Sequence, residues 1–526
     1  MLVAGLLGVL TSLTLTAIYF LFEQLVGLPF VPFDVFDEIG RILPGGVITV
    51  FIQTMVTVIR GLNLGPTASV AKLIEQALAV VMMVIVGGIF GAVLAWGVRQ
   101  HRWHGPRAGQ VGGFILFILA AAAEFAYGLQ ANPVVALLWM VVTLVAWGHL
   151  LGGWVGSSLQ VRRAPAMETE GGITRRVFLT RAAGSVALAL AAVGLGNLVQ
   201  QARLPTGAGE PLSTVAGATP PPVPTPAIPG RTVQPVPGTR PEVTPNSKFY
   251  RIDIDLVPPS IQESSWTLEV AGLFDKPRTL TLSDLRVYPA VTEPRTLSCI
   301  SNPVGGDLIG NTYWTGLRIP ALMKDLGIRP EAKALRIDAA DGFFEFVTMA
   351  DLADPRTLLV YGMDGDTLPA GHGFPLRILI PNRYGMKQPK WITKFTAVDR
   401  AGLGYWVERG WSQQARPRIV SVIDTIDTAQ RQNGRIPIGG IAWAGGRGVS
   451  KVEVQVDNGP WEQATLITPP LGPLTWVDWR YDWPAVSGNH TFTVRAADGN
   501  GVLQTSAVNP PEPDGATGYY SVSQTI

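Results

Sequence analysis

The chain has 526 residues, of which 47% are hydrophobic and only 15% charged, and its formal net charge is +2. This near balance of charge gives no basis for a nucleic-acid partner, and none is expected. The chain has one cysteine. A single cysteine excludes an internal disulfide and also the Cys-x-x-Cys-His motif that attaches c-type haem.

The first 200 residues are strongly apolar and contain five stretches long enough, at roughly 20 residues each, to cross a bilayer. These stretches are residues 1–22, 76–98, 110–129, 133–156 and 183–200. A sixth stretch, 43–60, begins Leu-Pro-Gly-Gly and carries polar residues, so we favour an interfacial position for it over a sixth span. His149 is the only clear histidine within a predicted span, so paired histidine ligands are lacking and no b-type haem is expected either.

Basic residues predict the orientation, because Lys and Arg near the ends of spans stay on the cytoplasmic side. Arginines cluster in residues 99–107 and again in residues 162–181. If both loops are cytoplasmic, residues 201–526 are extracytoplasmic. The sequence therefore predicts a multi-pass protein of the plasma membrane, in contact with lipid, whose C-terminal part faces outward.

Residues 174–180, Thr-Arg-Arg-Val-Phe-Leu-Thr, resemble the twin-arginine signal that exports folded proteins. A plain basic flank of the last span is the alternative interpretation. Export after folding suits a protein whose cofactor is inserted in the cytoplasm. No small-residue cleavage site is evident, so we expect the segment to stay as a membrane anchor.

The rest of the chain divides by composition. Residues 201–247 contain twelve prolines and predict an extended stalk. Short strand patterns mixed with helical ones predict an α+β domain, and the strictly alternating runs after it predict an all-β, immunoglobulin-like sandwich. The fold class is thus multi-domain: transmembrane helices (1–160), a twin-arginine-like segment with the last transmembrane helix (161–200), the linker (201–247), the α+β domain (248–426) and the sandwich (427–526).

The lone cysteine, Cys299, lies in the predicted extracytoplasmic part, within the segment Arg295-Thr-Leu-Ser-Cys-Ile-Ser-Asn-Pro-Val-Gly-Gly306. A thiol in an oxidising compartment without an internal partner has four roles open to it. They are packing, an intermolecular bridge, catalysis and metal ligation.

Several separated segments together resemble the sulfite oxidase family of molybdopterin-dependent oxidoreductases, in its membrane-anchored bacterial type. They are Cys299 with Asn302, Tyr-Trp-Thr-Gly-Leu at 313–317, Met-Asp-Gly-Asp-Thr-Leu-Pro at 363–369, His-Gly-Phe-Pro-Leu-Arg at 372–377, and Lys390 with Trp391. Their order and spacing agree over residues 248–526, and the resemblance does not cover residues 1–247. It implies an enzyme with a molybdopterin cofactor that transfers an oxygen atom to or from a small-molecule substrate. It also implies electron exchange with a separate protein or a quinone, and a homodimer formed through the C-terminal domain.

In this resemblance Cys299 supplies a thiolate to molybdenum, a soft ligand that suits such a centre. Asn302 and Trp411 are the other candidate catalytic residues, and Trp411 stands where the family has an active-site tyrosine. Sulfite-oxidising members carry arginines where this chain has Pro303 and Val304. Fold and cofactor are expected to survive these departures, but sulfite as the substrate does not follow from them.

The resemblance also implies a set of cofactor-binding side chains, namely Arg251, Asp341, His372, Arg377, Lys387 and Lys390. Three of them, His372, Arg377 and Lys390, match positions that bind the phosphate of the pterin, for which an arginine fork and a lysine ammonium are suitable donors. For Arg251 and Asp341, a surface charge on a strand and an ordinary turn residue are the alternatives. Lys387 is expected to line the same loop.

Two other functions remain open. The same centre can run oxygen transfer in the opposite direction, which would make the protein a reductase of S-oxides or N-oxides. A stalked binding protein could also keep the fold without catalysis. Molybdenum analysis separates this last function from the two enzymes.

Overall fold

The structure is a computed structural model that describes residues 1–127, 132–160, 175–202, 209–210, 212 and 230–526. Its contacts divide the chain into two compact units, Met1–Leu43 with Val70–Leu204 and Pro44–Ser69 with Pro205–Ile526. Residues 44–69, which the sequence placed with the transmembrane helices, are thus grouped with the C-terminal half. Thr174, the side chains of residues 175–178 and about half of the proline-rich linker lie outside the described residues.

The N-terminal part is helical. Its helices are α1 (Leu2–Val26), α2 (Val31–Ile42), α3 (Gly45–Gly61), α4 (Thr67–Arg99), α5 (Gly105–Tyr127), α6 (Pro133–Gln160) and α7 (Arg175–Ala202). Within the described residues, five of them are long and apolar enough to cross a membrane, namely α1, α4, α5, α6 and α7, in agreement with the five predicted stretches. The predicted interfacial stretch forms α3, which meets α2 at a bend of 119°. A sixth span results only if this bent pair counts as one.

Helices α5 and α6 pack through glycines. A Cβ added to Gly109 would collide with the carbonyl oxygen of Gly148, and one added to Gly152 would collide with that of Gly105. Hydrophobic burial does little to hold helices together in lipid, so close backbone approach through small residues is a common way for them to pack. The close approach of α5 and α6 therefore explains Gly105, Gly109, Gly148 and Gly152.

The next domain is built from two sheets and short helices. Its strands are β1 (Leu268–Gly272), β2 (Arg278–Leu280), β3 (Ala290–Ser298), β4 (Ile309–Arg318), β5 (Ala334–Ala339), β6 (Phe344–Thr348), β7 (Leu358–Met363), β8 (Asp366–Thr367), β9 (Arg377–Leu379) and β10 (Ile392–Val398); its helices are α8 (Leu282–Arg286), α9 (Ile319–Leu326) and α10 (Met349–Ala353). One sheet has the order β2-β1-β10-β5-β6, and the other has the order β3-β4-β7-β8 with β9 on β7. This agrees with the predicted α+β class. Side chains from both sheets share one apolar core, including Leu268, Phe395 and Leu359.

The last part is all β. Its strands are β11 (Val420–Ile426), β12 (Arg435–Trp443), β13 (Val449–Val456), β14 (Trp461–Gln463), β15 (Thr465–Leu466), β16 (Val477–Pro484), β17 (Asn489–Asp498) and β18 (Tyr520–Thr525). They form two four-stranded sheets, β11-β12-β16-β15 and β14-β13-β17-β18. Ile438 and Trp479 of one sheet share a core with Val452 and Phe492 of the other. Two sheets therefore pack face to face, whereas an immunoglobulin-like topology stays a prediction.

Candidate active site around Cys299

Cys299 opens the loop that joins β3 to β4, and backbone hydrogen bonds close this loop. The N–H of Cys299 donates to the carbonyl oxygen of Leu308 at 3.0 Å, and the N–H of Asn302 donates to the carbonyl oxygen of Cys299 at 3.2 Å. The side chain of Asn302 closes it further, since its Oδ1 accepts the N–H of Leu308 at 3.0 Å. The geometry thus fixes the position of Cys299 through its own loop.

The thiol of Cys299 is buried, with 8% of the residue exposed. Its Sγ lies 2.9 Å from Oγ of Ser301. Burial raises the pKa of the thiol, while the hydrogen bond with Ser301 and the charge of Lys390 oppose that rise. A thiol held in this way is protonated at neutral pH, and a bound metal cation would favour its thiolate form.

His372 and Arg377 lie side by side in the same domain. Nη1 of Arg377 donates to the carbonyl oxygen of His372 at 2.9 Å, and Nε2 of His372 lies 3.3 Å from the carbonyl oxygen of Asn246. Burial lowers the pKa of His372 to about 3, and the charges of Lys390 and Arg377 lower it further. His372 is therefore neutral at neutral pH and can offer a ring N–H donor, whereas Arg377 supplies positive charge.

Lys390 comes close to this pair because of a glycine. Gly373 has a φ of +113°, and a Cβ at this position would meet Cβ of Lys390 at 3.1 Å and Cβ of Arg377 at 3.2 Å. Burial lowers the pKa of the Lys390 ammonium, and the charge of Asp253 opposes this. Lys390 and Arg377 therefore lie close together with no side chain between them, and an anionic group could bind both cations.

Asp253 connects Lys390 to another predicted cofactor residue. Oδ2 of Asp253 lies 3.2 Å from Nζ of Lys390 and 3.3 Å from Nε of Arg251. The sequence interpretation did not single out Asp253. The sequence does place Asp253 two residues after Arg251, in the run Arg-Ile-Asp-Ile-Asp. A short alternating run of this kind is common on exposed strands, so it did not indicate a site.

Asp341 and Lys387 lie against other groups. Oδ1 of Asp341 accepts the N–H of Phe343 at 3.0 Å. Burial raises the pKa of Asp341, as does the neighbouring Asp255, and Lys390 opposes this. Nζ of Lys387 lies 2.6 Å from Oε1 of the fully buried Glu345. Lys387 is therefore engaged in a buried ion pair, and its assignment to the cofactor stays a prediction.

Trp411 is buried in an apolar cluster that also contains Ile300, the residue after Cys299. The same cluster contains Tyr384, whose phenolic oxygen accepts the N–H of Arg418 at 2.9 Å. The structure thus places Trp411 beside the cysteine loop, with Tyr384 in the same group. A catalytic role for Trp411 stays a prediction.

Tyr250 is a site residue that the sequence interpretation missed. It packs against the cluster that contains Cys299 and Leu308. Burial raises the pKa of its phenol, the charge of Cys299 raises it further and that of Arg377 lowers it, so the phenol lies within electrostatic reach of both. In the segment Phe249-Tyr250-Arg251 the resemblance indicated only the arginine, because no local sequence pattern identifies a tyrosine as part of a site.

The donors of this site fit a phosphate-bearing cofactor with a metal. Nε of Arg377 is buried and lacks a hydrogen-bond partner among the described residues, and an unsatisfied buried donor on a cation is costly unless an acceptor binds it. In the part of the chain that the structure describes, no group of three or more His, Cys, Asp or Glu side chains could hold a metal ion.

Comparisons with known proteins agree with this chemistry. Residues 255–406 match the family model described as oxidoreductase molybdopterin binding domain. Sulfite oxidase of Arabidopsis thaliana is 26% identical over 280 residues, which is 43% of this chain and 71% of that protein. Mitochondrial sulfite oxidase of Drosophila melanogaster is 27% identical over 271 residues, or 42% of this chain and 47% of that protein.

A second kind of relative is the putative protein-methionine-sulfoxide reductase subunit YedZ1 of Azospira oryzae. It is 30% identical over 152 residues, which is 29% of this chain and 56% of that protein. Among solved structures, the sulfane dehydrogenase SoxCD from Paracoccus pantotrophus is 21% identical with a TM-score of 0.47, covering 53% of this chain and 80% of that one. The chain spans about half the length of the Drosophila and Azospira relatives.

Proposed function

We propose that this chain, whose residues 255–406 match the family described as oxidoreductase molybdopterin binding domain, transfers an oxygen atom to or from a small molecule at a molybdenum centre ligated by Cys299. The main support is one buried thiol close to a group of buried donors that suit a phosphate. Tyr250 packs against the cluster of Cys299, and the charges of Cys299 and Arg377 both shift its pKa, so this phenol lies near both. A cofactor that bears both a metal and a phosphate would use both ends of this site.

Each side chain has a role that follows from its chemistry. Cys299 would hold the metal through a thiolate, a soft and polarizable ligand. Arg377 and Lys390 would neutralise the phosphate, and the neutral His372 would donate a hydrogen bond to it. When bound, the cofactor supplies two-electron oxygen-atom transfer, and the protein contributes orientation, charge and exclusion of water.

Electron balance requires a partner. Adding an oxygen atom to a substrate removes two electrons from it, and these electrons must leave to an acceptor; the reverse reaction must draw two from a donor. Because no haem is expected from the sequence, this partner is a separate electron-transfer protein or a quinone. The helices that can cross a membrane support a multi-pass plasma-membrane protein. The arginines in residues 99–107 and 162–181 favour a site outside the cytoplasm. A homodimer through residues 427–526 is part of the same proposal.

A reductase of S-oxides or N-oxides is the second candidate. Pro303 and Val304 lie on the cysteine loop, partly exposed, where sulfite-oxidising members carry arginines. A sulfite dianion that loses its hydration needs such positive partners, whereas a neutral oxide does not. The Azospira relative, named as a putative subunit of a protein-methionine-sulfoxide reductase, supports the same direction. A stalked binding protein without catalysis is the third candidate.

Molybdenum and pterin analysis of the purified full-length protein tests the proposal. We expect stoichiometric molybdenum and pterin in the wild type, which would exclude a mere binding protein. In Cys299→Ser the hydroxyl is a harder and far less acidic ligand, so the oxygen-transfer activity should be lost while the donors suited to a phosphate still retain pterin. Wild-type turnover in this variant would contradict the assignment of Cys299.

A further inference from the structure

Residues 44–69 belong to the same compact unit as the cysteine loop, although the sequence places them between the first two predicted spans. We propose that this segment, the cap, covers the Cys299 loop and limits the size of the molecules that reach the thiol and its metal. The inference that the cap selects substrates rests on the proposed function, whereas the inference that the cap covers the thiol does not.

The end of the cap is joined to the cysteine loop by a hydrogen bond to a carboxylate. The N–H of Thr67, the first residue of α4, donates to Oδ2 of Asp307 at 2.8 Å. The next residue, Ala68, forms one buried apolar cluster with Cys299 and Leu308. Only 6% of Ala68 and 8% of Cys299 are exposed. The cap therefore contributes to the burial of the thiol.

Two further contacts join α3 to loops of the same site. A Cβ added to Gly45 would collide with the backbone of Arg409, which lies two residues before Trp411. Near the other end of α3, Nη2 of Arg60 lies 3.4 Å from the carbonyl oxygen of Gly305. The cap thus contacts the cysteine loop at Gly305 and Asp307 and the Trp411 segment at Arg409.

The cap closes the cluster around Cys299 with a small side chain. Ala68 contributes only a methyl group to that cluster, so a small molecule needs less displacement of the cap to reach the thiol than a bulky one does. The bond between Thr67 and Asp307 involves a carboxylate, and hydrogen bonds to charged groups are stronger than neutral ones. Loss of this bond should therefore shift the equilibrium between the closed and the open cap towards the open one.

The single cysteine makes the test direct, because every thiol reagent that modifies the protein modifies Cys299. Full-length, cofactor-free protein in detergent is labelled with iodoacetamide and with a bulky maleimide. Two variants remove the same bond from opposite sides. Asp307→Ala removes the acceptor, and Thr67→Pro removes the donor at a first-turn position that tolerates proline. Asp275→Ala, which removes an exposed ion pair with Arg329, is the matched control.

We expect either variant to raise the labelling rate about tenfold, as a hydrogen bond to a carboxylate implies for an opening equilibrium. The labelling rate should rise more for the bulky maleimide than for iodoacetamide. It should rise no further in the double variant than in a single variant, since both substitutions remove the same interaction. The control should label like the wild type. Unchanged labelling rates in both variants, or an equal rise in the control, would overturn the proposal that the cap covers the Cys299 loop.

A second measurement concerns the loaded enzyme. In Asp307→Ala the ratio of kcat/KM for a bulky sulfoxide to that for dimethyl sulfoxide should rise severalfold, with a smaller change for the small substrate. If labelling responds but neither sulfoxide is turned over, the cap stands and reduction of S-oxides by this protein is excluded. A ratio that stays at the wild-type value in an active enzyme would overturn the role of the cap in selecting substrates.

Discussion

Oδ1 of Asn302 accepts the N–H of Leu308 at 3.0 Å and so ties together the two ends of the loop that begins at Cys299. The sequence resemblance made Asn302 a candidate catalytic residue. Its side-chain carbonyl is occupied by the loop itself, which favours a positioning role. Gly306 lies so close that a Cβ there would collide with this oxygen.

We therefore predict that Asn302→Ala and Gly306→Ala loosen the loop to a similar extent. A neutral hydrogen bond contributes about 0.5–1.5 kcal/mol, so the amide of Leu308 should exchange with solvent deuterium about threefold to tenfold faster in both variants. Asn500→Ala, in an exposed turn, is the control. Exchange at the wild-type rate in Asn302→Ala would mean that the bond does not hold the loop.

Arg377 and Lys387 should differ in their effect on the cofactor. Nε of Arg377 is buried without a partner among the described residues, so Arg377→Met should abolish pterin retention, measured by fluorescence after extraction. Lys387 is paired with the buried Glu345. Replacing both partners, as in Lys387→Met with Glu345→Leu, avoids an unpaired buried charge. That double variant should keep its pterin if the ion pair is the main role of Lys387, and loss of pterin from folded protein would support its assignment to the cofactor.

Sulfite should be a poor substrate. The cysteine loop presents Pro303 and Val304 where a dianion would need fixed positive donors. With an artificial redox dye we expect a kcat/KM for sulfite well below about 10⁶ M⁻¹s⁻¹, a value typical of efficient enzymes, and measurable reduction of a small sulfoxide. Efficient sulfite oxidation would show that other basic residues serve the pocket.

Asp478 should make the thermal stability of the protein depend on pH, and the substitution Asp478→Asn should remove that dependence. It is 2% exposed, and neither carboxyl oxygen has a hydrogen-bond partner within the described residues. Burial raises its pKa to about 8, and the charge of Glu242 contributes. The folded state therefore holds the proton more tightly than the unfolded chain, whose aspartates titrate near pH 3.9.

The stabilising effect of that proton is complete below about pH 4 and is lost as the pH rises through about 8. Asp478→Asn should thus melt close to wild type at pH 4 and at a higher temperature at pH 9, by roughly 5 °C or more. Asp482→Asn, on the same strand but half exposed and paired with Arg480, is the control. A difference between Asp478→Asn and wild type that does not change with pH would contradict the assignment.

The export prediction concerns Arg175 and Arg176. Changing both to Lys keeps the basic charge that orients the last span but removes the twin-arginine motif. We expect the C-terminal domain to become inaccessible to protease added outside the cell. Arg181→Lys alone is the control, and normal accessibility in the double variant would favour a plain basic flank.

The sequence by itself determined the features that depend on local pattern. Continuous apolar stretches indicated the five helices that can cross a membrane, because lipid requires a long run of apolar residues whatever surrounds it. Alternating residues indicated the strands at 451–456 and 490–495, which lie in β13 and β17, because successive side chains of a strand face opposite sides. The candidate cofactor residues came from motif resemblance and stay predictions, whereas the type of domain is supported by the match of residues 255–406 to the family described as oxidoreductase molybdopterin binding domain.

Only the tertiary structure decided which distant residues meet. It paired Lys387 with Glu345, brought Tyr250 close to Cys299 and Arg377, and joined Thr67 to Asp307. No local pattern encodes these contacts, because each depends on how strands and loops far apart in the chain pack together. The cap and the cysteine loop are separated by more than 200 residues in the sequence, and only folding of the chain makes Thr67 and Asp307 neighbours.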